Sequence, residues 1–323
     1  MQVQNFEQLT LFALLLTFYF RIAVTVAFGI IIMNTSLIKK LVGPSNFYLM
    51  VFNEQACRIH WIQALLLINN FYYTLDIVSK RLQLLHKKRV KTNYKSATNI
   101  QCNPVSWYLS ADFQVYIINL FLLYIKLKYR YKKVIFYMSV FLLSCVLHGT
   151  VLYMYEVDII FKPNLRNLEL RHFKNSTTYL ISYQSTISIW SSSFIGVIMG
   201  NLYYNKKHTV YSKTWKLNIL WSLSCFGLTG ISLLLCHTEV TDRLVAAVLG
   251  SLVKPMYTLG VGLGIWAMSH NFGGIMKRIL VNKNIVLLSN FTFCVYLLHT
   301  GVINVLHYST YEPIVFNELV MVS

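Results

Sequence analysis

Apolar residues in this chain gather into long blocks separated by short polar, often basic, segments. Seven blocks, near 9–33, 111–126, 132–155, 186–204, 216–236, 244–269 and 285–307, predict membrane-spanning helices. A helix needs about 20 such residues to cross a hydrocarbon core. The 111–126 block is short and crosses only with help from flanking aromatics or a thin bilayer. A further apolar stretch, His60 to Tyr73, has about 14 residues and predicts a short interfacial or re-entrant helix. The fold expected is therefore all-α: a polytopic transmembrane helical bundle of about seven spans plus that short element. No internal repeat and no Gly/Ser/Pro linker divides the chain, so residues 1–323 read as a single integral membrane domain.

Composition sharpens this reading. Hydrophobic residues make up 56% and charged residues 12%, about half the charged share of a soluble domain, so too few charges remain to wet a globular surface. The first block is too long for a cleavable signal and contains Arg21. Lys and Arg number 29 against 11 acids, a net charge of +18. In a soluble protein that excess would point to nucleic acid. Here the bases lie between apolar blocks, where they predict cytosolic loops facing anionic lipid, with membrane lipids and no nucleic acid as partners. Many tyrosines flank the blocks, as expected at a membrane interface.

Three basic clusters, Lys126 to Lys133, Lys206 to Lys216 and Lys277 to Lys283, alternate with less basic connections. That alternation puts the clusters in the cytosol, and Asn175, a glycosylation sequon, outside. The 74–110 segment is basic yet counts to the outside. Either it breaks the rule, or the 60–73 element crosses and the 111–126 block does not; the first alternative is preferred. It would place Cys57 and Cys102, both in polar segments, together on the oxidising side, where they could form a disulfide. Cys145, Cys225, Cys236 and Cys294 fall in or at the ends of spans and read as small apolar filler.

Ionisable groups inside spans are costly and are functional suspects by default. Asp112 opens its block, His148 lies within 132–155, Lys254 is mid-span beside Pro255, and Arg21 and His299 are near the middle of the first and last spans. Snorkelling or a hydrogen bond between helices is the structural alternative for each. Pro255 removes a rung of the helix ladder and frees carbonyls, which would give a buried Lys254 ammonium acceptors close by. An ion pair between Asp112 and Lys254 is the structural alternative to a catalytic role. No Walker loop, GxSxG elbow or HExxH helix is present, and the nine histidines show no metal-ligand spacing.

Four motifs in order carry a family resemblance. Cys57 to Tyr73 (CRIHWIQALLLINNFYY) is followed by Cys102-Asn103-Pro104-Val105-Ser106-Trp107-Tyr108-Leu109-Ser110-Ala111-Asp112-Phe113-Gln114. Next come Lys254-Pro255-Met256-Tyr257 and Asn271-Phe272-Gly273-Gly274. The last is Leu288-Ser289-Asn290-Phe291-Thr292-Phe293-Cys294-Val295-Tyr296-Leu297-Leu298-His299. Together they resemble the nose-resistant-to-fluoxetine branch of the membrane acyltransferase-3 family, from about residue 9 onward. Nothing in residues 1–30 matches that family's first-helix histidine, Lys254 stands where the branch has Arg, and the chain ends near the start of the family's last span. The resemblance therefore implies a core lacking both ends, either a working acyltransferase or one inactive by truncation.

What the resemblance implies is acyl transfer from a cytosolic donor, acyl-CoA as co-substrate with no bound cofactor, to the hydroxyl of a lipid, sterol or sugar, in the endoplasmic reticulum or plasma membrane. Such chemistry needs a base for the acceptor hydroxyl and cationic or amide donors for developing negative charge. His299 and Asp112 are the catalytic candidates. Lys254, Asn69, Asn70, Trp107 and Tyr296 are the substrate-binding candidates, and Cys57 with Cys102 the disulfide. A lipid or small-molecule transporter or binding protein on the same scaffold is the alternative, with helices broken near Pro255 and Gly260–Gly264 around a mid-bilayer site.

Overall fold

The computed structural model describes residues 2–34, 57–58, 60–70, 106–129, 132–157, 159, 179–206, 208–209, 215–238, 240–272 and 274–309. Each predicted span is a helix within these residues: α1 (Gln2–Asn34), α2 (Ser106–Tyr129), α3 (Lys133–Tyr155), α4 (Thr186–Lys206), α5 (Trp215–His237), α6 (Arg243–Ser269) and α8 (Lys283–Ser309). The short α7 (Gly274–Leu280) precedes α8, and a π-helical turn, Tyr179–Tyr183, precedes α4. There is no strand among the described residues. Asn175 and Cys102 lie outside them.

These helices have the surface of membrane helices. On α1, Ile22, Val26 and Ile30 are buried at four-residue spacing, Val26 to 1% exposure. The opposite side of α1 presents Phe20, Val24 and Phe28, about 60% exposed and equally apolar. A water-soluble helix would carry charges there. Five helices or helix segments are long and apolar enough to cross a bilayer among the described residues: Ala13–Ile31, Ser106–Tyr129, Val134–Tyr155, Asn218–His237 and Arg243–Ser269. The chain is an all-α, multi-pass membrane protein. Its α4 falls outside that group because serine and threonine, including Thr186, Ser188, Ser191, Ser192 and Ser193, dilute its apolar content.

Two expectations about element ends change. The 111–126 block is not short: α2 begins five residues earlier and has 24 residues, about 36 Å at 1.5 Å per residue, enough to cross unaided. The 60–73 element is interrupted. Helical backbone over 60–65 stops where Leu67 takes a left-handed conformation (φ 57°). Ile68 N–H then reaches back to the Gln63 carbonyl at 3.0 Å, the closing bond of a Schellman-type helix end.

By packing, the chain divides into two compact units, each built from segments distant in sequence. Unit 1 comprises Met1–Asn69, Gln83–Ser110 and Ser289–Ser323; unit 2 comprises Asn70–Leu82 and Ala111–Leu288. In unit 1 the Tyr19 hydroxyl donates to the Leu65 carbonyl at 3.2 Å, fastening α1 to the interrupted element. Cys57 is disulfide-bonded, whereas Cys145, Cys225 and Cys236 are not in disulfides.

In unit 2, α6 is the central element and packs against α3, α4 and α5. It runs unbroken through Pro255 from Arg243 to Ser269, so the expected break is absent. Gly260 and Gly264 instead let α5 approach. A Cβ on Gly260 would lie 3.0 Å from the Cys225 carbonyl and 3.1 Å from the Thr229 amide, and one on Gly264 would meet the Cys225 thiol at 2.8 Å. Small residues four apart at a close crossing are a common membrane packing solution. Phe136, Tyr137, Val140 and Phe194 form an apolar cluster between α3 and α4.

Candidate functional site

The lower part of α2 places polar side chains four residues apart on one face. Within unit 1, Asn69 joins two of them: its amide donates to the Ser106 hydroxyl at 2.6 Å, and its side-chain carbonyl accepts from the Ser110 hydroxyl. Trp107 beside them is buried and meets Tyr108 edge-on at 5.8 Å. Tyr108 in turn meets Tyr296 edge-on at 5.7 Å. His299 lies one turn beyond Tyr296 on α8 and is partly buried, its Nδ1 2.5 Å from the Tyr296 carbonyl. A carbonyl only accepts, so Nδ1 carries the proton in the neutral ring and Nε2 carries the lone pair. Within unit 1, Tyr108 thus links Trp107 to Tyr296 and His299, while Asn69 holds Ser106 and Ser110.

Unit 2 holds the others. Asn70 and Gln114 exchange amide bonds, Gln114 Nε2 to Asn70 Oδ1 at 2.8 Å and Asn70 Nδ2 to Gln114 Oε1 at 3.1 Å. The Thr186 hydroxyl closes the triangle, accepting from Asn70 at 2.9 Å and donating to Gln114. Further along α2, Asn119 donates to Ser193 at 3.0 Å and accepts from the Trp190 indole at 3.2 Å. Buried polar groups are stable only when paired, and α4 supplies the partners that α2 requires.

The π-helical turn sets the entry to α4. Gln184 N–H reaches five residues back to the Tyr179 carbonyl at 3.1 Å. Ser185 then caps the helix, its hydroxyl oxygen accepting from the Ser188 amide at 3.2 Å. Tyr179 and Tyr183 stack at 5.4 Å. Burial pushes the Tyr179 phenol above its ordinary pKa, the Tyr183 charge adds to that, and a hydrogen bond with Gln184 works against it.

This turn holds Lys254. Its ammonium donates to the Ser182 carbonyl at 2.5 Å and to the Ser188 hydroxyl at 3.2 Å. The acceptors therefore come from the π-turn and the first turn of α4 and not from carbonyls freed by Pro255. The ion pair with Asp112 is also absent: partly buried Asp112 makes no hydrogen bond or ion pair with a described residue. On α3, His148 is 1% exposed, and neither ring nitrogen has a hydrogen-bond partner. Arg21 lies on the exposed side of α1, in keeping with snorkelling. No group of three His, Cys, Asp or Glu among the described residues could hold a metal ion.

Sequence reasoning gave no role to Gln114, Thr186, Ser182 and Ser188. For Ser182, Thr186 and Ser188 the local signal is Ser185 three residues before Ser188 at the head of an apolar block, a helix-start pattern. The chain matches no family model, no curated protein and no solved structure.

Proposed function

We propose that this chain is a membrane acyltransferase-like protein with His299 as its proton acceptor. The reading is supported by the order of the four sequence motifs and, above all, by the bond from His299 Nδ1 to the Tyr296 carbonyl, which leaves Nε2 with a lone pair. In the proposed step, Nε2 takes the proton of an acceptor hydroxyl as its oxygen attacks the thioester carbonyl of acyl-CoA. The C–S bond breaks, and the departing thiolate receives that proton from the imidazolium. Trp107 and Tyr296 offer an apolar and aromatic lining, and Asn69 is committed to Ser106 and Ser110 as a positioning residue. Asp112 enters no step, since it orients neither a histidine nor a cation among the described residues. The acceptor would be a lipid, sterol or sugar hydroxyl, and the compartment the endoplasmic reticulum or plasma membrane.

The test is purified chain incubated with radiolabelled acyl-CoA and membrane lipids. Label transfer that is lost in His299→Ala supports the proposal; no transfer at any protein concentration overturns it. The transport or binding alternative loses the broken helix that motivated it, because α6 is continuous, but it keeps the Lys254 site.

A further inference from the structure

We propose that the Lys254 site within unit 2 binds the carboxylate of a long-chain amphiphile. The reason is a counter-ion missing among the described residues. An ammonium inside an apolar bundle is costly unless an anion compensates it, and the two groups that hold Lys254 are neutral, a carbonyl and a hydroxyl. The described acids of unit 2 are engaged elsewhere or unpaired. Glu156 pairs with Arg243 at 3.0 Å. Asp242 caps α6 through the Leu244 and Val245 amides. Asp112 makes no ion pair with a described residue. The Ser185-capped start of α4 adds the positive end of a helix dipole to the same place.

A second observation points to a ligand. His148 is buried to 1% exposure with both ring nitrogens unpartnered, and Lys254 is its electrostatic neighbour. Ser191, one turn beyond Ser188 on α4, is fully buried with an unpartnered hydroxyl. A buried imidazole always carries at least one N–H, so a group that accepts hydrogen bonds is what this cluster lacks. One ammonium held by two neutral acceptors matches one negative charge, which favours a carboxylate over a phosphate dianion. The site lies among the packed helices α3, α4 and α6 of a membrane bundle, so an anion that reaches it arrives on an apolar tail. The inference does not rest on acyl transfer, because a carboxylate could seat here without turnover.

The experiment is saturation binding of radiolabelled oleate to the full chain in lipid nanodiscs, with oleyl alcohol and oleyl phosphate as competitors. Saturable binding is expected. Lys254→Met should weaken it by about 30-fold, the size of one charge-assisted hydrogen bond, while Lys254→Arg stays within a few-fold and His148→Leu loses about tenfold. Unchanged binding in Lys254→Met, or no saturable binding in the wild type, overturns the proposal; the latter leaves water as the partner of these groups. Should Lys254→Met fail to fold, the wild-type competition decides: oleyl alcohol competing as well as oleate, or oleyl phosphate winning by tenfold, overturns it. Binding without label transfer from acyl-CoA sinks the enzyme reading alone, and transfer without Lys254-dependent oleate binding sinks this one alone.

Discussion

Replacing Gln114 by Leu keeps its bulk and removes its amide from the α2–α4 contact. The amide takes part in three hydrogen bonds, two exchanged with Asn70 and one received from Thr186. Measured side-chain hydrogen bonds between membrane helices average about 0.6 kcal/mol and reach about 1.7. Three of them set the expected loss at about 2–5 kcal/mol. The pairwise part is separable. In a double-mutant cycle of Asn70→Leu and Gln114→Leu, the two exchanged bonds should appear as a coupling of about 1–3 kcal/mol. Thr186→Val should couple to both. The assay is reversible unfolding of the purified chain in mixed micelles, followed by tryptophan fluorescence, which Trp190 of the adjoining Asn119 contact would report. Additive single losses, with coupling within about 0.3 kcal/mol of zero, would refute the argument that α4 is held to α2 by this triangle.

Gly260→Ala should cost about 1–3 kcal/mol, because the new methyl meets the Thr229 side chain at 2.8 Å and the α5 backbone at 3.0 Å; unchanged stability in the same assay would show that α5 yields freely. Cys57 should resist maleimide until reduced, and Cys102→Ser should expose it without reduction; a still-protected Cys57 in that variant rules out Cys102 as its partner. Burial raises the Tyr179 pKa, so folding favours the neutral phenol. That contribution is intact below the ordinary tyrosine pKa of about 10 and declines as pH rises through the folded value. Tyr179→Phe should flatten the loss of stability at alkaline pH, and an identical profile in the variant contradicts the assignment.

The helices were legible in the sequence because a bilayer makes hydropathy nearly sufficient: a backbone without water must bond internally, and an apolar block does so as a helix. Each of the seven blocks is one. The start of α2 was missed because Ser106 and Ser110 look like loop residues and are instead buried partners of Asn69. The site was harder to read. Asn70 and Thr186 are 116 residues apart, a pairing no spacing rule reveals. Lys254 was suspect for the right reason, its depth in a span, but the acceptors were sought in its own helix when a π-turn 72 residues earlier supplies one. Gly260 and Gly264 suggested a break and turned out to be a seam, since both uses favour the same small residue.

The π-turn ahead of α4 makes chain length itself a functional variable. Deleting one residue from 179–183 would restore four-residue rungs and rotate every later side chain of α4 by about 100°. Ser188 would swing off the Lys254 ammonium and Thr186 off the Asn70 amide, with not one of those residues altered. A frame of this kind tolerates exchanges of side chain at Leu180 or Tyr183 more readily than it tolerates a change in their number.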